Sequence, residues 1–466
     1  MTVGALTNNG ALNIQSDDTG VGILVDNGIT NISGTVNVQQ YLTGTGGTTP
    51  NGRFWYISSP VSDATSETFN AAGNNKLWSH SESGYTYTEI TDNSTPLHVG
   101  QGYVARLGAD ATVSFTGTAL NSGSKTINIT RTGTELPKRG FNLIGNPYPS
   151  YLDWTLASKT NVQPTMWYRT LTSENLMQFD TYNAETGVGT GNGAKGKVTR
   201  YIPPMQAFWV KATTDNVTGT VVFTNILRSH QSSNPLRSPR VGENQIIRLR
   251  TSNGTNSDET ILAFITEATD GFDKYDSPKM FNDVASIPEI YTLAGNEQVV
   301  INGLEPVVTE KELPVGFKTE LAGTFTIMAT EITNMDEGTK VILEDKLLNK
   351  KQNLTENPEY SFSSDIVNAT DRFSIFISKI PTNLFIVPEQ SFTVLTGSGG
   401  KLEIVLKGFE DKLAIINIFT ALGQKLLTIP VTGETSHIRS GFIPGLYLVS
   451  IYSNGFKATK KIVINQ

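Results

Sequence analysis

Five tryptophans, four histidines and one acidic stretch are the side chains whose type and spacing could do chemistry. All five tryptophans (Trp55, Trp78, Trp154, Trp167 and Trp209) fall between residues 53 and 210. An aromatic ring that faces solvent can stack on a sugar, whereas a buried one fills a core. Trp55 and Trp209 sit inside apolar runs, which predicts core positions. Trp78 and Trp167 have polar flanks and stand at matching points of two repeated blocks, so they are the candidate ligand platforms. The stretch DGFDKYD at 270–276 brings Asp270, Asp273 and Asp276 close together. Converging oxygens could hold calcium, but the spacing is not that of an EF-hand loop and Lys274 intrudes, so a solvated turn capped by the aspartates is the main expectation. His80, His98, His230 and His437 show no metal-ligand spacing. Cysteine is absent, which excludes a thiol nucleophile, a thiolate metal site and disulfides.

Other catalytic signals are weak. GNGAKGKV at 191–198 fits a phosphate-binding loop through Lys197, but Val198 stands where Ser or Thr is needed and no helix pattern comes after it, so a hairpin tip is expected. There is no HExxH and no GxSxG. The expectation is a non-enzymatic region without cofactor. A glycosidase carboxylate pair cannot be recognised from a sequence, because its partners meet only in the fold. The chain as the accessory region of a larger secreted hydrolase therefore stays open as the alternative.

The elements that position these residues are strands. The chain has 466 residues with 36 Lys+Arg against 43 Asp+Glu, and only 17% are charged, against roughly a quarter in an average domain. Net acidity excludes a general nucleic-acid binder, which needs a basic footprint. No run of 18 apolar residues could cross a membrane as a helix. Helical periodicity is confined to short stretches near 153–159 and 344–351, while alternating runs such as TVNVQQYL (35–42), TVVFTNI (220–226) and FSIFIS (373–378) recur, with Asn-Gly turns between runs. The fold class is all-β, read as β-sandwiches in series.

Residues 1–45 carry short strands spaced by about ten residues, read as the last coils of a β-solenoid or as a partial β domain. MTVGALTNNG has neither a basic start nor an apolar stretch, which predicts either a cytoplasmic chain or a mature or truncated piece of a longer protein, the second being the expectation once the other end is read. Residues 46–228 hold a diverged duplication. RFWYISSPVSDAT (53–65) parallels GFNLIGNPYPSYLDW (140–154), KLWSHSESGYTYTEI (76–90) parallels TMWYRTLTSENLMQF (165–179), and GQGYVARLGADATVSFTGT (100–118) parallels MQAFWVKATTDNVTGTVVFTN (205–225). A polar, proline-bearing linker is expected at 229–240, a jelly-roll-like sandwich at 241–380, and a last unit at 385–466. From residue 382 onward the balance turns basic, eight Lys/Arg against five Asp/Glu.

That last unit shows an apolar strand entering a Gly-Gln turn (LAIINIFTALGQKLLTI, 413–429), then GFIPGLYLVSIY (441–452), then NGFKATKKIVINQ (454–466). Pro444-Gly445 reads as a turn with an unusual glycine φ, and Asn454-Gly455 as a hairpin. The three elements resemble, in order and position, the Ig-like type A C-terminal sorting domain of the type IX secretion system, found in Bacteroidetes. Two departures are Phe419-Thr420, where the family often has Tyr-Asp, and an opening FIVPEQSFTVL without the compact Pro-Asn-Pro start. The resemblance implies a secreted or cell-surface protein that crosses the periplasm and outer membrane. Its partners would be the outer-membrane translocon with its shuttle protein and the attachment and cleavage machinery. Gly445, Tyr447, Val449, Lys460, Lys461, Ile462, Val463 and Ile464 would be the recognised residues. The upstream blocks resemble large surface proteins of that phylum, several of them adhesins, so a surface-glycan ligand is expected for the duplicated module.

Overall fold

A computed structural model describes residues 1–3, 6–26, 30–32, 34–44, 53–70, 75–135, 138–230, 244–379, 391–397, 401–407, 413–432, 437–439, 441–453 and 456–464. Strands hold 57% of residues and helices 2%, so the fold is all-β. The chain divides into two compact units, 1–379 and 380–466. The short stretches of helical pattern have local uses. Trp154–Leu156 is a single 3-10 turn capped by the Asp153 carboxylate. Residues 344–351 instead form a hairpin, Lys340–Asp345 against Lys350–Asn353, with Asn349 left-handed at φ 49°.

The first residues stack in parallel. Thr2–Val3 pairs with Val25–Asp26, Leu6–Asn8 with Thr30–Ile32, and Leu12–Ile14 with Val36–Leu42. Each pairing joins segments one coil apart, as in a β-solenoid. The second rung does not end in solvent, because Val36–Leu42 also pairs antiparallel with Ala111–Gly117. Residues 1–45 therefore share one core with the first repeat of the duplicated module: Ile14, Leu24, Val36 and Val38 pack with Ile57, Leu77, Tyr103 and Phe115.

The duplication is visible in strand order. The first repeat contains β1 (Trp55–Ile57), β2 (Lys76–Ser81), β3 (Thr86–Glu89) and β4 (Tyr103–Arg106). The second contains β5 (Phe141–Gly145), β6 (Thr165–Leu171), β7 (Met177–Asn183) and β8 (Ala207–Lys211). The sheets run β3-β2-β4-β1 and β7-β6-β8-β5, the same path twice, with Val188–Gly189 added beyond β7. The repeats meet through reciprocal backbone contacts. The Ser58 N–H donates to the Met205 carbonyl at 2.8 Å, and Gly145 N–H, its counterpart, to the Gly100 carbonyl at 2.9 Å. Single bridges Ile57–Gln206 and Gln101–Ile144 complete this pseudo-two-fold seam. Both accepting residues are left-handed, Gly100 at φ 74° and Met205 at φ 57°. The turn demands that conformation, and the second repeat accepts it without glycine.

Ser229, expected in the linker, forms with Arg228 a strand on Tyr151–Asp153, and 231–240 lie outside the described residues. Residues 245–378 form one sheet of eleven strands, not two separate hydrogen-bonded sheets. The sheet curls on itself. Phe317, on Glu310–Thr319, meets Phe325 and Phe362 from strands near the far end of the path, with ring centroids 5.1 Å away in both cases. The GNGAKGKV loop is no free hairpin tip. Gly191 N–H donates to Glu259 at 2.9 Å, and the Lys197 ammonium meets Glu331 at 2.7 Å.

In the second unit, Ser391–Gly397, Lys401–Lys407 and His437–Arg439 form one sheet. The other runs Lys425–Thr432, Leu413–Thr420, Gly445–Ser453, Phe456–Ile464. Phe392, Leu402, Ile404 and Leu406 of the first pack with Ile416, Ile418, Val449, Ile451, Ile462 and Ile464 of the second, so this unit is a small two-sheet sandwich.

Phe317 is 1% exposed and edge-on to three rings. Phe317→Ala is expected to lower unfolding free energy by about 3–5 kcal/mol, read by urea denaturation at unchanged m-value.

Candidate functional site

Strand register places equivalent residues in equivalent rows. Tyr56, Val104 and Trp78 lie opposite one another across β1, β4 and β2. Leu143, Trp209 and Trp167 form the matching row across β5, β8 and β6. Both rows are apolar on the same face, and a face of this kind must be covered or left as a site.

The two halves differ in what covers them. In the second repeat, the segment after Asp273 lies over the row. Thr165 and Ser277 share a hydroxyl contact of 2.9 Å, and the Asn183 amide donates to Ser277 at 3.1 Å. Trp167 is fully buried, donates its indole N–H to the Pro278 carbonyl at 3.0 Å and meets Phe141 edge-on at 5.0 Å. Trp167 is therefore not a ligand platform: the covering segment removes its access to solvent. Trp78 has no such cover and stays half-buried.

What remains is a cleft of about 480 Å³ lined by Phe54, Tyr56, Trp78, Tyr85, Tyr87 and Val104 of the first repeat, Arg169, Phe179 and Trp209 of the second, and Lys138, Phe281 and Asp283. That volume lies in the range of small-molecule sites. Trp209, expected in the core, is buried yet forms part of the wall, and its indole N–H has no hydrogen-bond partner. The Arg169 guanidinium lies 4.4 Å from the Phe179 ring centre and bonds Asp283 at 2.8 Å, whose side chain remains 74% exposed. Burial works against the Arg169 charge, while Tyr56 and Asp283 favour it and win. Burial also pushes the Tyr56 and Tyr85 hydroxyls up, Tyr85 to about 12, so both stay neutral.

Tyr85 enters the cleft by a strained route. It is left-handed at φ 44° in the turn between β2 and β3, a conformation that costs a bulky residue about 1–3 kcal/mol. Its ring stacks toward Trp209 at 6.3 Å, His80 meets it edge-on at 5.0 Å, and the Lys138 ammonium lies 4.7 Å above it. Glu82 holds the turn. Its carboxylate accepts from the backbone N–H groups of Thr132, Gly133 and Gly140 at 2.8–3.1 Å and from the hydroxyls of Thr130 and Thr132. Burial alone would raise its pKa, but these donors hold it down at about 2. His80 packs 4.6 Å from Trp209, and burial lowers its pKa to about 4. Neither Tyr85 nor Glu82 carries a sequence motif; only the duplicated hairpin pointed to this region.

The calcium candidates do not converge. Asp270 pairs with Lys311. Asp273 accepts from Thr269 and from the Tyr275 N–H. Asp276 is buried, accepts from the N–H groups of Gly303 and Asp273, and has its pKa pushed up to about 7 by burial. The stretch anchors the covering segment. Among the described residues, no three His, Asp or Glu are arranged to hold a metal ion.

In the second unit, Tyr447, Val449, Ile462 and Ile464 are buried, while Lys460, Lys461 and Val463 are exposed. Gly445 is exposed and does not take the left-handed φ expected of it. It opens its strand opposite Ile464, and a Cβ there would meet Tyr447 at an ordinary 3.7 Å. Tyr447 donates instead to the Ile443 carbonyl at 2.9 Å. Asn454-Gly455 and the opening 385–390 lie outside the described residues.

These shifts give stability two pH windows. Glu82 is more acidic folded than unfolded, so its contribution is full above pH 4.5 and is lost as pH falls toward 2. His80 is held neutral, so its contribution is lost as pH falls from 6.5 toward 4. Glu82→Gln should cost about 2 kcal/mol at pH 7 and flatten the lower window, while His80→Phe flattens the upper one. Denaturant titrations between pH 2 and 7 measure both.

No curated protein matches the chain. A family match covers residues 2–376, four-fifths of the length, and takes in the cleft and every strand that frames it, so the chain belongs to the family described as Domain of unknown function (DUF8693).

Proposed function

We propose that this chain is a secreted or cell-surface protein of the type IX kind, in which residues 380–466 are the sorting domain and the preceding unit is cargo with a surface-binding role. The closing strand Phe456–Ile464 carries this reading. It pairs along its length with Gly445–Ser453 and ends the sheet. Ile462 and Ile464 anchor it in the core, Lys461 and Val463 face outward, and Lys460, opposite Val449 on the side of the isoleucines, is exposed. A strand held on one face and open on the other suits a receptor that reads alternate side chains. The outward face of the same sheet adds apolar groups, with Ile415 at 39%, Tyr452 at 39% and Val463 at 54% exposure. The cargo role draws support from the aromatic cleft of the first unit.

Deleting Lys460–Gln466 should retain the protein in the periplasm. Lys460→Glu/Lys461→Glu, which leaves the buried isoleucines in place, should cut the surface fraction while the purified protein melts as before. Both are read by fractionation and surface proteolysis. Normal display of both variants overturns the export reading.

A further inference from the structure

We propose that the cleft between the two repeats binds a saccharide, neutral or acidic. This rests on the surface-binding reading of the first unit and names its ligand class. The walls supply ring faces in several orientations: Trp78 and Phe54 at 62° to one another, Tyr85 and Trp209 nearly parallel at 27°, and Tyr87 45% exposed at the mouth. Aromatic faces of this kind take the C–H faces of pyranose rings, and their apolar surface is removed from water on binding.

The polar groups narrow the class. The Asp283 carboxylate bonds Arg169 through one oxygen and remains largely exposed, so it has acceptor capacity to spare. Arg169 Nε and Trp209 Nε1 are donors buried in the wall with no acceptor, and the Lys138 ammonium is a further donor in the lining. The tyrosine hydroxyls of Tyr56 and Tyr85 are neutral and can donate or accept. A set that mixes one acceptor with several donors suits hydroxyl groups, which do both. Each cation that lines the cleft has an acidic neighbour, Arg169 with Asp283 at 2.8 Å and Lys138 with Glu135 at 3.4 Å, so the local charge is close to balanced and a ligand rich in hydroxyl groups is favoured over a strongly charged one. A peptide strand would need an open ladder edge inside the cleft. The row of β1, β4 and β2 is paired where Tyr56, Val104 and Trp78 line the cleft, and β3, the edge strand that carries Tyr87, is only four residues long, so peptide is the disfavoured class.

The pseudo-two-fold also explains why one site exists where two rows do. The segment Ser277–Asp283 occupies the second row and, through Phe281 and Asp283, contributes the wall of the first.

The test is a printed array of neutral and acidic oligosaccharides probed with the full chain, then titration of the best-retained glycan with intrinsic tryptophan fluorescence, since Trp78 and Trp209 line the cleft. Tyr87→Ala changes an exposed side chain and should weaken binding about tenfold with unchanged melting. Asp283→Asn, which also removes the ion-pair partner of Arg169, should weaken binding about tenfold while circular dichroism shows the chain still folded. Trp78→Ala should reduce the fluorescence response to the part that Trp209 supplies. Tyr452→Ala, on the second unit, should leave binding unchanged. Retention of no glycan overturns the proposal, as does glycan binding that neither Tyr87→Ala nor Asp283→Asn alters. Capture of peptides from a displayed library with no glycan retained also overturns it, while leaving a binding role for the unit intact. Export is read by localisation, so its failure is separable from failure here.

Discussion

Two backbone hydrogen bonds hold the centre of the first unit together: Ser58 to Met205 and Gly145 to Gly100. They set two copies of one sheet edge to edge about a pseudo-two-fold axis. The carbonyls can point across the seam only if the residues carrying them turn left-handed. Gly100 does so at no steric cost, whereas Met205 does so against its side chain. Met205 is 1% exposed and packs with Ile57 and Leu77 in the core of the other repeat, so burial of its side chain offsets the backbone cost. A seam made of main chain also tolerates divergence of the side chains on either side, which fits two repeats that share topology but few residues.

Because the seam aligns the repeats, their apolar rows lie on one surface, and the fate of that surface decides where a ligand can bind. The segment that covers the second row is fastened by charges buried beneath it. Lys279, 3% exposed at its side chain, bonds Asp258, and Asp258 in turn accepts from the Ile290 N–H at 2.9 Å. Lys318 reaches Glu289 at 3.1 Å. Burial pushes both carboxylates up, and the lysines oppose it. Buried ion pairs add little net stability but are costly to break singly, so they hold the segment in one register. That register puts Met280 into the aromatic cluster and leaves Asp283 at the rim of the cleft.

The second unit divides its side chains by strand alternation. One face of its closing strand completes a core with Val449 and Ile451, and the other presents Lys461 and Val463. The core and the exposed surface therefore draw on different side chains of the same nine residues.

Much of this is legible in the chain itself. Alternation of β-branched residues sets the class, three pairs of matching blocks announce the duplication, and Ile462 with Ile464 against Lys461 with Val463 already has period two. Local patterns of this kind survive because side-chain direction in a strand depends on position alone. Trp78 and Trp167 share flanks and matching positions and so cannot be told apart locally. Their difference is made more than a hundred residues later, by Pro278, whose carbonyl takes the Trp167 indole. The acidic stretch at 270–276 reads equally well as a metal loop, because nothing local shows that Lys311 and Gly303 occupy its carboxylates. At Gly445 the Pro-Gly pair misleads, since a turn signal does not report the register of the strand after it. The residues by themselves determined the strands, their repetition and their two faces, which are properties of short-range geometry. Only the tertiary structure decided which face was covered and which stayed open, because burial depends on partners that loop closure brings from far along the chain.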